Sequence, residues 1–338
     1  MEEFSNIENR RYIGSKTKLR SWIFSLIEKN CEGRVFVDLF AGTGVIGAEA
    51  SKKFKSITLN DILYSNIISY NAFFKEGAFD VKKISRIIDR YNKIDPLLLK
   101  ENYFSKNFGG KYFSEENARL IGYIREDLKR NKKELSDKEY SIILTSLLYS
   151  LDKIANTVGH YEAYIKKEIG DKKLRIKQIK PLKIKNATIY REDANTLARK
   201  IKADVVYIDP PYNSRQYSRF YHLLETIVKW NKKKLYGVAL KPTPENLSEY
   251  CTSRASKTFA DLIDNLKTKY IVVSYNNTYN SKSSSSKNKI KLEQIKKMLE
   301  EKGDTKIFKK KHQFFNAGKT DFNDHQEWLF ITKVYDKN

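Results

Sequence analysis

Residues 203–212 place the strongest constraint on the fold, because they combine a buried strand with a fixed end point. The stretch reads Ala-Asp-Val-Val-Tyr-Ile-Asp-Pro-Pro-Tyr, and its first part has the β-branched and aromatic side chains of a central parallel strand. Two consecutive prolines cannot donate backbone hydrogen bonds to a neighbouring strand, so the strand must end there. Asp209 is therefore predicted at the carboxyl end of a strand, where open α/β sheets bind their ligands.

The turn that follows has the chemical groups to activate the exocyclic amine of a nucleobase. That amine is a poor nucleophile, because its lone pair is delocalised into the ring, and acceptors that hold both amine hydrogens favour a tetrahedral nitrogen. We assign these acceptors to the Asp209 carboxylate and the Pro210 carbonyl, whose direction the Pro210-Pro211 turn restricts. Tyr212 can stack on the base, which is worth roughly 1–3 kcal/mol. The alternative is a turn that only ends the strand, since Asp-Pro turns are common.

The charge of the chain indicates a polyanionic partner. Lysine and arginine number 65 against 41 aspartates and glutamates, which gives a formal net charge of +24 over 338 residues. Nucleic acid is the simplest partner for such an excess, and the aromatic side chains, 13% of the chain, offer surfaces on which bases can stack. The alternative is a lysine-rich protein from an AT-rich genome, in which the excess has no binding role.

Cysteine and histidine usage predicts neither a disulfide framework nor a metal site. Only two cysteines occur, Cys31 and Cys251, and the four histidines lack the spacing of metal ligands. No apolar run approaches membrane-spanning length, and the polar N-terminus lacks the core of a signal peptide. We therefore expect a cytoplasmic protein that makes no use of a membrane or of a metal.

A strand, a glycine-rich turn and a helix over residues 35–54 form the opening of a nucleotide-binding unit. Gly42 and Gly44 in the turn allow a ligand to approach the backbone closely. The turn lacks the full GxGxxG fingerprint of dinucleotide sites and the lysine of a phosphate loop. It therefore favours an adenosyl ligand without a pyrophosphate.

Two acidic residues follow later strands of the predicted sheet. Asp61 comes after the strand over residues 56–59, at the position where an acid can hold a pair of ribose hydroxyls. The alternative interpretation is an aspartate that caps the following helix, and both roles can hold together. Asp193 follows the strand over residues 187–190, where a carboxylate can accept the amino group of an adenine ring.

The alternation of strands and helices stops between residues 75 and 185, where helical patterns and aromatic clusters lead to a basic end. We interpret this stretch as an insertion that lies on DNA; a solvated charged face is the alternative. A second basic and aromatic stretch, residues 213–220, follows the Asp-Pro-Pro turn and is suited to contact a phosphate or a flipped base. The candidates for DNA contact are Lys172, Lys173, Arg175, Arg215, Tyr217 and Arg219.

With these residues placed, the chain resembles the Dam-like, or alpha-group, adenine-N6 DNA methyltransferases over most of its length outside residues 75–185. The resemblance rests on motifs in the order of the family: Tyr-Ile-Gly-Ser-Lys at residues 12–16, Asp-Leu-Phe-Ala-Gly-Thr-Gly at residues 38–44, Asp61, Asp193, and Asp-Pro-Pro-Tyr at residues 209–212. Residues 327–333 are similar to the closing strand of the family. Asp38 stands where many members have glutamate, and we expect this difference to leave the chemistry unchanged.

The resemblance implies the α/β fold of class I S-adenosylmethionine-dependent methyltransferases. This is a Rossmann-like seven-stranded sheet with an antiparallel edge hairpin, here with an inserted, mostly helical DNA-recognition subdomain. The implied domains are residues 1–75 for the first, cofactor-binding part of the catalytic domain, residues 76–186 for the inserted target-recognition subdomain, and residues 187–338 for the second part with the active site.

The same resemblance implies roles for individual residues. Asp61 would hold the ribose of the cofactor, and Asp193 would accept its adenine amine. The residues expected to line S-adenosylmethionine are Tyr12, Lys16, Asp38, Phe40, Gly42, Gly44, Asp61 and Asp193. The residues expected to activate a flipped target adenine are Asp209, Pro210, Pro211 and Tyr212.

These features predict an enzyme that methylates adenine N6 at a specific site in double-stranded DNA, within a restriction-modification system whose endonuclease is a separate protein. A methyltransferase of base amines in ribosomal RNA is the first alternative, because it can share the Asp-Pro-Pro-aromatic turn. Cytosine-amine enzymes usually carry serine at this turn. A DNA-binding protein without catalytic activity is a further alternative. The insertion and residues 12–16 favour DNA over RNA, and the Gly42–Gly44 turn with Asp209 favours an enzyme.

Overall fold

The computed structural model describes residues 4–167, 169–211, 214–277, 290–312 and 325–336. Within these residues the chain forms α-helices and one β-sheet, joined by loops and short 3-10 turns. The helices are α1 Arg20–Asn30, α2 Val45–Ala50, α3 Tyr64–Phe73, α4 Val81–Asn92, α5 Tyr103–Phe108, α6 Glu115–Arg130, α7 Asp137–Leu151, α8 Ala194–Ala198, α9 Tyr217–Phe220, α10 His222–Lys229, α11 Ala255–Asn265 and α12 Leu292–Glu300. The strands are β1 Val35–Asp38, β2 Ser56–Asn60, β3 Ala187–Tyr190, β4 Ala203–Ile208, β5 Thr268–Asn276, β6 Gly303–Lys311 and β7 Gln326–Val334.

The sheet has seven strands in the order β3-β2-β1-β4-β5-β7-β6. The first five strands of this order are parallel, and β7 is antiparallel to both β5 and β6. The predicted α/β class, with a seven-stranded sheet and an antiparallel edge hairpin, is therefore confirmed. The strand order reverses between β1 and β4, and the carboxyl ends of the strands at such a switch point form the usual ligand site of an open α/β sheet.

Side chains of the central strands point alternately to the two faces of the sheet, and both faces are covered. Val37 of β1 and Val206 of β4 are buried in a cluster with the apolar sides of α11 and α12, for example Phe259 and Ile295. The neighbours of these valines along each strand point to the opposite face of the sheet. On that face the ring of Phe36 lies 6.0 Å from the ring of Phe24 on α1. Because both faces are covered, the strands are apolar almost throughout, and a polar residue at a strand end stands out.

The chain forms two compact units. The sheet unit comprises residues 14–62, 186–217 and 246–338, and the helical unit comprises residues 1–13, 63–185 and 218–245. The helical unit thus contains the predicted insertion together with three further pieces of chain, at residues 1–13, 63–75 and 218–245. The assignment of residues 76–186 to target recognition stays a prediction.

Helix α7 is the core of the helical unit. Most of its side chains are buried, polar ones such as Thr145 and Ser146 among them, and it packs against α3. Its start is set by a capping box, in which the backbone N–H of Glu139 donates to the Ser136 hydroxyl and the backbone N–H of Ser136 donates to the Glu139 carboxylate. No helix in the described residues has both the length and the apolar character needed to cross a bilayer.

Candidate active site

Asp209 lies directly after β4, as the Pro-Pro sequence predicts, and its carboxylate is held by a lysine from the N-terminal part of the chain. The Lys16 ammonium donates a hydrogen bond to Asp209 Oδ1 at 2.9 Å and lies 2.8 Å from Oδ2. The Lys16 side chain is only 5% exposed and that of Asp209 15%, so the contact is largely shielded from water. Charge-assisted hydrogen bonds of this length are among the stronger ones in proteins. Lys16, predicted to line the cofactor, thus contacts the proposed catalytic carboxylate.

A second carboxylate, that of Glu327 on β7, faces the same ammonium. Glu327 Oε1 lies 3.5 Å from the Lys16 nitrogen, and the hydroxyl of Ser274 on β5 donates to Oε1 at 2.5 Å. The Glu327 side chain is fully buried, and antiparallel pairing places its backbone opposite Asn276. One cation is therefore shared between two buried or nearly buried anions.

Burial and these charges shift the ionisation of the group. Burial raises the pKa of Asp209 to about 7, with Lys16 lowering it and Glu327 raising it. Burial disfavours the charged form of Lys16, but the Asp209 and Glu327 carboxylates outweigh this effect and raise the lysine pKa above its ordinary value. Burial also raises the pKa of the neighbouring Tyr207 hydroxyl, and the Asp209 charge adds to that shift. Lys16 therefore stays charged at neutral pH, and the pKa of Asp209 lies well above that of an ordinary aspartate.

Asp38, the last residue of β1, presents a buried oxygen towards this end of the sheet. Its side chain is 1% exposed, and Oδ1 has no hydrogen-bond partner within the described chain. Burial raises the pKa of Asp38 well above its usual range, and the nearby Asp209 raises it further. A buried acceptor of this kind calls for a partner that the described residues do not supply. A cationic or hydrogen-bond-donating ligand group at the carboxyl end of β1 would fit it.

The glycine turn after β1 has a backbone that most side chains would strain. Gly42 has φ 53° and Gly44 has φ 82°, both in the left-handed region. The N–H of Gly42 donates to Asp61 Oδ2 at 3.1 Å, so the acid that follows β2 also supports the turn. The turn, Asp61 and Asp38 therefore lie together at the carboxyl ends of β1 and β2, as nucleotide sites on such sheets require.

Phe40 is linked to α8, the helix that Asp193 caps, through Tyr250, a residue that the sequence did not point to. The Phe40 ring contacts the ring of Tyr250 edge-on, with centroids 5.1 Å apart, and the Tyr250 hydroxyl donates to Asn195 at 2.7 Å. Asp193 Oδ1 accepts the backbone N–H of Thr196 at 3.0 Å and so caps α8. Tyr250 carried no sequence signal beyond being an aromatic residue in a polar stretch.

The site therefore combines an edge-to-face aromatic pair, a glycine turn and several carboxylates at strand ends. The sequence profile of the D12 class N6 adenine-specific DNA methyltransferases matches residues 12–283. The chain belongs to this family. The match takes in the predicted motifs from residue 12 to residue 212, and the family expected from the sequence is confirmed.

Three type II methyltransferases resemble the chain to different extents. The type II methyltransferase M.FokI of Planomicrobium okeanokoites is 36% identical over 288 residues, which cover 78% of this chain but only 44% of that protein. The type II methyltransferases M.NlaIII of Neisseria lactamica and M.CviAII of Paramecium bursaria Chlorella virus 1 are 29% and 31% identical. They align over 93% and 96% of this chain and over 95% and 98% of their own lengths. The chain thus spans less than half of one relative and nearly all of two others.

The remaining methyltransferase motif residues lie at several places. Pro210 is buried and Pro211 half-buried, directly after Asp209, while Tyr212 lies outside the described residues. Tyr12 belongs to the helical unit, where its ring stacks on that of Tyr221 with centroids 4.7 Å apart. The roles of all these residues towards a cofactor or a base stay predictions.

Three of the predicted DNA-contacting residues lie on one extended segment of the helical unit. The side chains of Lys172, Lys173 and Arg175 are exposed, whereas Leu174 and Ile176 between and beside them are buried. This alternation is that of a strand that packs with one side only. The segment therefore holds its basic side chains on its outer side.

Two asparagines fix this basic segment by bonding both to its N–H and to its C=O groups. Asn117 on α6 donates to the Lys172 carbonyl at 2.7 Å and accepts the Leu174 N–H at 2.7 Å. Asn92 on α4 donates to the carbonyl of Ile176 at 2.9 Å and accepts its N–H at 2.7 Å. Neither asparagine was predicted, because asparagine in a helix has no signature that reveals a long-range clamp.

The other three candidates for DNA contact do not share one setting. Arg215 is exposed and Tyr217 half-buried in the sheet unit. Arg219 belongs to the helical unit and donates to the Pro242 carbonyl at 2.6 Å. Burial lowers the pKa of Arg219.

No group of three or more His, Cys, Asp and Glu side chains in the described residues is arranged to hold a metal ion.

Proposed function

We propose that the chain transfers the methyl group of S-adenosylmethionine to N6 of an adenine flipped out of a specific site in double-stranded DNA. The observation that carries this proposal is the Asp209 carboxylate, placed at the carboxyl end of β4 beside the β1 end with Asp38. Family membership supports the choice of adenine N6 and of DNA. The short Pro-Pro turn leaves Asp209 at a fixed position relative to the sheet.

The carboxyl ends of β1 and β2 are suited to hold the methyl donor. S-adenosylmethionine supplies a methyl group on a positively charged sulfur, which makes that methyl open to attack by an amine. The bare oxygen of Asp38 suits a positively charged or N–H group of this ligand, and Asp61 has the position of a ribose-binding acid. Phe40, Gly42, Gly44, Asp193, Tyr12 and Lys16 complete the set that we propose for the cofactor.

Asp209 would orient the target amine and take up its surplus proton. Bound S-adenosylmethionine would give up its methyl group with the bonding electron pair left on sulfur, and the methylated N6 would then have to lose one proton to a group of the protein. A carboxylate whose pKa is near 7 can accept that proton and later release it to water. We propose that the Pro210 carbonyl accepts the second amine hydrogen and that Tyr212 stacks on the flipped ring, with Pro211 stiffening the turn.

The basic segment of the helical unit would contact the DNA backbone. Lys172, Lys173 and Arg175 are outward-facing on a segment that two asparagines clamp, so they can meet phosphates without first being ordered. Arg215, Tyr217 and Arg219 are the further candidates near the predicted base-flipping stretch. We also propose that the chain works in the cytoplasm as the modification part of a restriction-modification system, with a separate endonuclease as its partner.

The direct test is methyl transfer from labelled S-adenosylmethionine to unmethylated genomic DNA, followed by single-molecule sequencing of the product. We expect N6-methyladenine confined to one short sequence motif. Transfer to ribosomal RNA but not to DNA under the same conditions would refute the proposal. Binding of DNA without any transfer would refute the enzymatic role.

A further inference from the structure

We infer that Glu327 is a positioning residue for methyl transfer, which holds the Lys16 ammonium so that the Asp209 carboxylate can receive the target amine. The inference rests on the proposed function of Asp209 and assigns a role to a residue outside the Asp-Pro-Pro-Tyr motif. It follows from the way in which one ammonium is shared by two carboxylates.

The contact between Lys16 and Asp209 competes with the proposed reaction. The ammonium lies within 2.9 Å of both Asp209 oxygens, which is the distance at which an amine N–H would also bind. A carboxylate neutralised in this two-sided way is a weaker acceptor for the amine and for its proton. The ammonium therefore keeps Asp209 ionised before the base enters, and efficient transfer requires that it shift away from the Asp209 oxygens as the amine arrives.

Glu327 is placed to draw the ammonium away. Its Oε1 lies 3.5 Å from the Lys16 nitrogen, on the side of β7, so a small rotation of the lysine side chain would exchange one carboxylate for the other. The cluster then keeps the same total charge, and the cation is never left in an apolar setting without an anion. Such an exchange avoids the large cost of leaving a buried charge uncompensated.

The Glu327 carboxylate is itself fixed, as a positioning group must be. The Ser274 hydroxyl donates to the same Oε1 that faces Lys16, at 2.5 Å. Glu327 lies between two paired strands, opposite Asn276 of β5 and Lys310 of β6, and its side chain has no exposed surface. A buried carboxylate is a poor device for stability alone, because its desolvation opposes folding. A role in setting the position of Lys16 accounts for its presence.

The test compares Glu327→Gln with Glu327→Asp in steady-state and single-turnover methyl transfer. The glutamine keeps the shape and removes the charge, so Lys16 should stay on Asp209; we expect kcat to fall at least about tenfold, with the Kd of S-adenosylmethionine changed less than about threefold. The aspartate keeps the charge and should recover a measurable part of kcat. Thr332→Val is the matched control, because Thr332 is also buried on β7 and its hydroxyl bonds to Thr305 at 2.9 Å. We expect its kcat to stay within about twofold of the wild type.

A Glu327→Gln enzyme with unchanged kcat, or one whose loss lies entirely in cofactor binding, would overturn the inference. An equal loss in the Thr332→Val control would show a general effect of the strand and would also overturn it. If Glu327→Gln does not fold, Ser274→Ala replaces it as the test, because it removes the hydroxyl that holds the Glu327 carboxylate. Its kcat should fall about threefold with unchanged cofactor affinity, and an unchanged kcat would reject the positioning role of Glu327. Wild-type transfer to DNA is measured first, because its absence refutes the proposed function and not the role of Glu327.

Discussion

Replacing Lys16 by methionine tests how the Asp209 carboxylate is kept ionised. The Lys16 nitrogen lies 2.8 Å from Asp209 Oδ2, and at an effective dielectric constant of about 20 this gives an attraction of about 6 kcal/mol, or about 4 pKa units. Water that enters the vacated space offsets part of this attraction. We therefore expect the pKa of Asp209 to rise by at least about 2 units from its wild-type value of about 7.

The pH dependence of the single-turnover rate, at saturating cofactor and DNA, measures this shift. Asp209 must be ionised to accept an amine hydrogen, so the wild-type rate should be lost as the pH falls through about 7 and should level off above it. For the Lys16→Met enzyme the midpoint of the pH–rate profile should move to a pH of at least about 9. Transfer at pH 7.5 should then be about 25-fold slower than in the wild type. Glu327, Tyr207, Asp38 and His312 are the other ionisable groups that interact with this cluster, and all four are retained in the variant.

Lys18→Met is the matched control for Lys16→Met. It removes the same charge two residues away, from a side chain that is exposed. Its pH profile should coincide with that of the wild type. A Lys16→Met profile with the wild-type midpoint would refute the argument that this ammonium controls the ionisation of Asp209. A uniform loss at every pH, without a displaced midpoint, would assign Lys16 to binding instead.

Three further predictions concern separate parts of the chain. Asp209→Ala should abolish methyl transfer while S-adenosylmethionine still binds in calorimetry; wild-type turnover in this variant would reject the catalytic role. Asn117→Ala removes two hydrogen bonds to the basic segment and should lower the free energy of unfolding by about 2 kcal/mol in urea titrations, with an unchanged value refuting the clamp. Combined Lys173→Gln and Arg175→Gln should reduce the slope of log affinity for DNA against log salt by about 1 to 2, with kcat at saturating DNA unchanged, and an unaltered slope would exclude phosphate contact by these residues.

The course of the chain through the sheet followed from local sequence properties. The apolar run before Pro210 and Pro211 predicted both a central strand and its end, because a proline pair excludes further pairing whatever surrounds it. The glycine turn after β1 and the acid after β2 were predicted in the same way, from backbone and strand-end rules that act over a few residues. The family resemblance then supplied the complete sheet, including the antiparallel edge.

The division of the chain into units was only partly visible in the sequence. Residues 76–186 were predicted as an insertion because the strand–helix rhythm stops there. The helical unit also takes in residues 1–13 and 218–245, which flank predicted motifs and carry no separate compositional signal. Their membership depends on side chains such as Tyr12 and Tyr221, whose rings stack although they are far apart in the chain.

By itself, the sequence determined where the strands end and which chemical groups stand at those ends, because proline, glycine and apolar patterns act on the local backbone. Only the tertiary structure decided which of these groups meet. Lys16, Asp209 and Glu327 come from three distant parts of the chain. Strand β5 pairs with both β4 and β7 and so brings Asp209 and Glu327 to the same region of the sheet, where the Lys16 ammonium lies close to both. The ionisation of Asp209, the proposed catalytic carboxylate, depends on charges that only folding brings close to it, so the sequence alone could not give it.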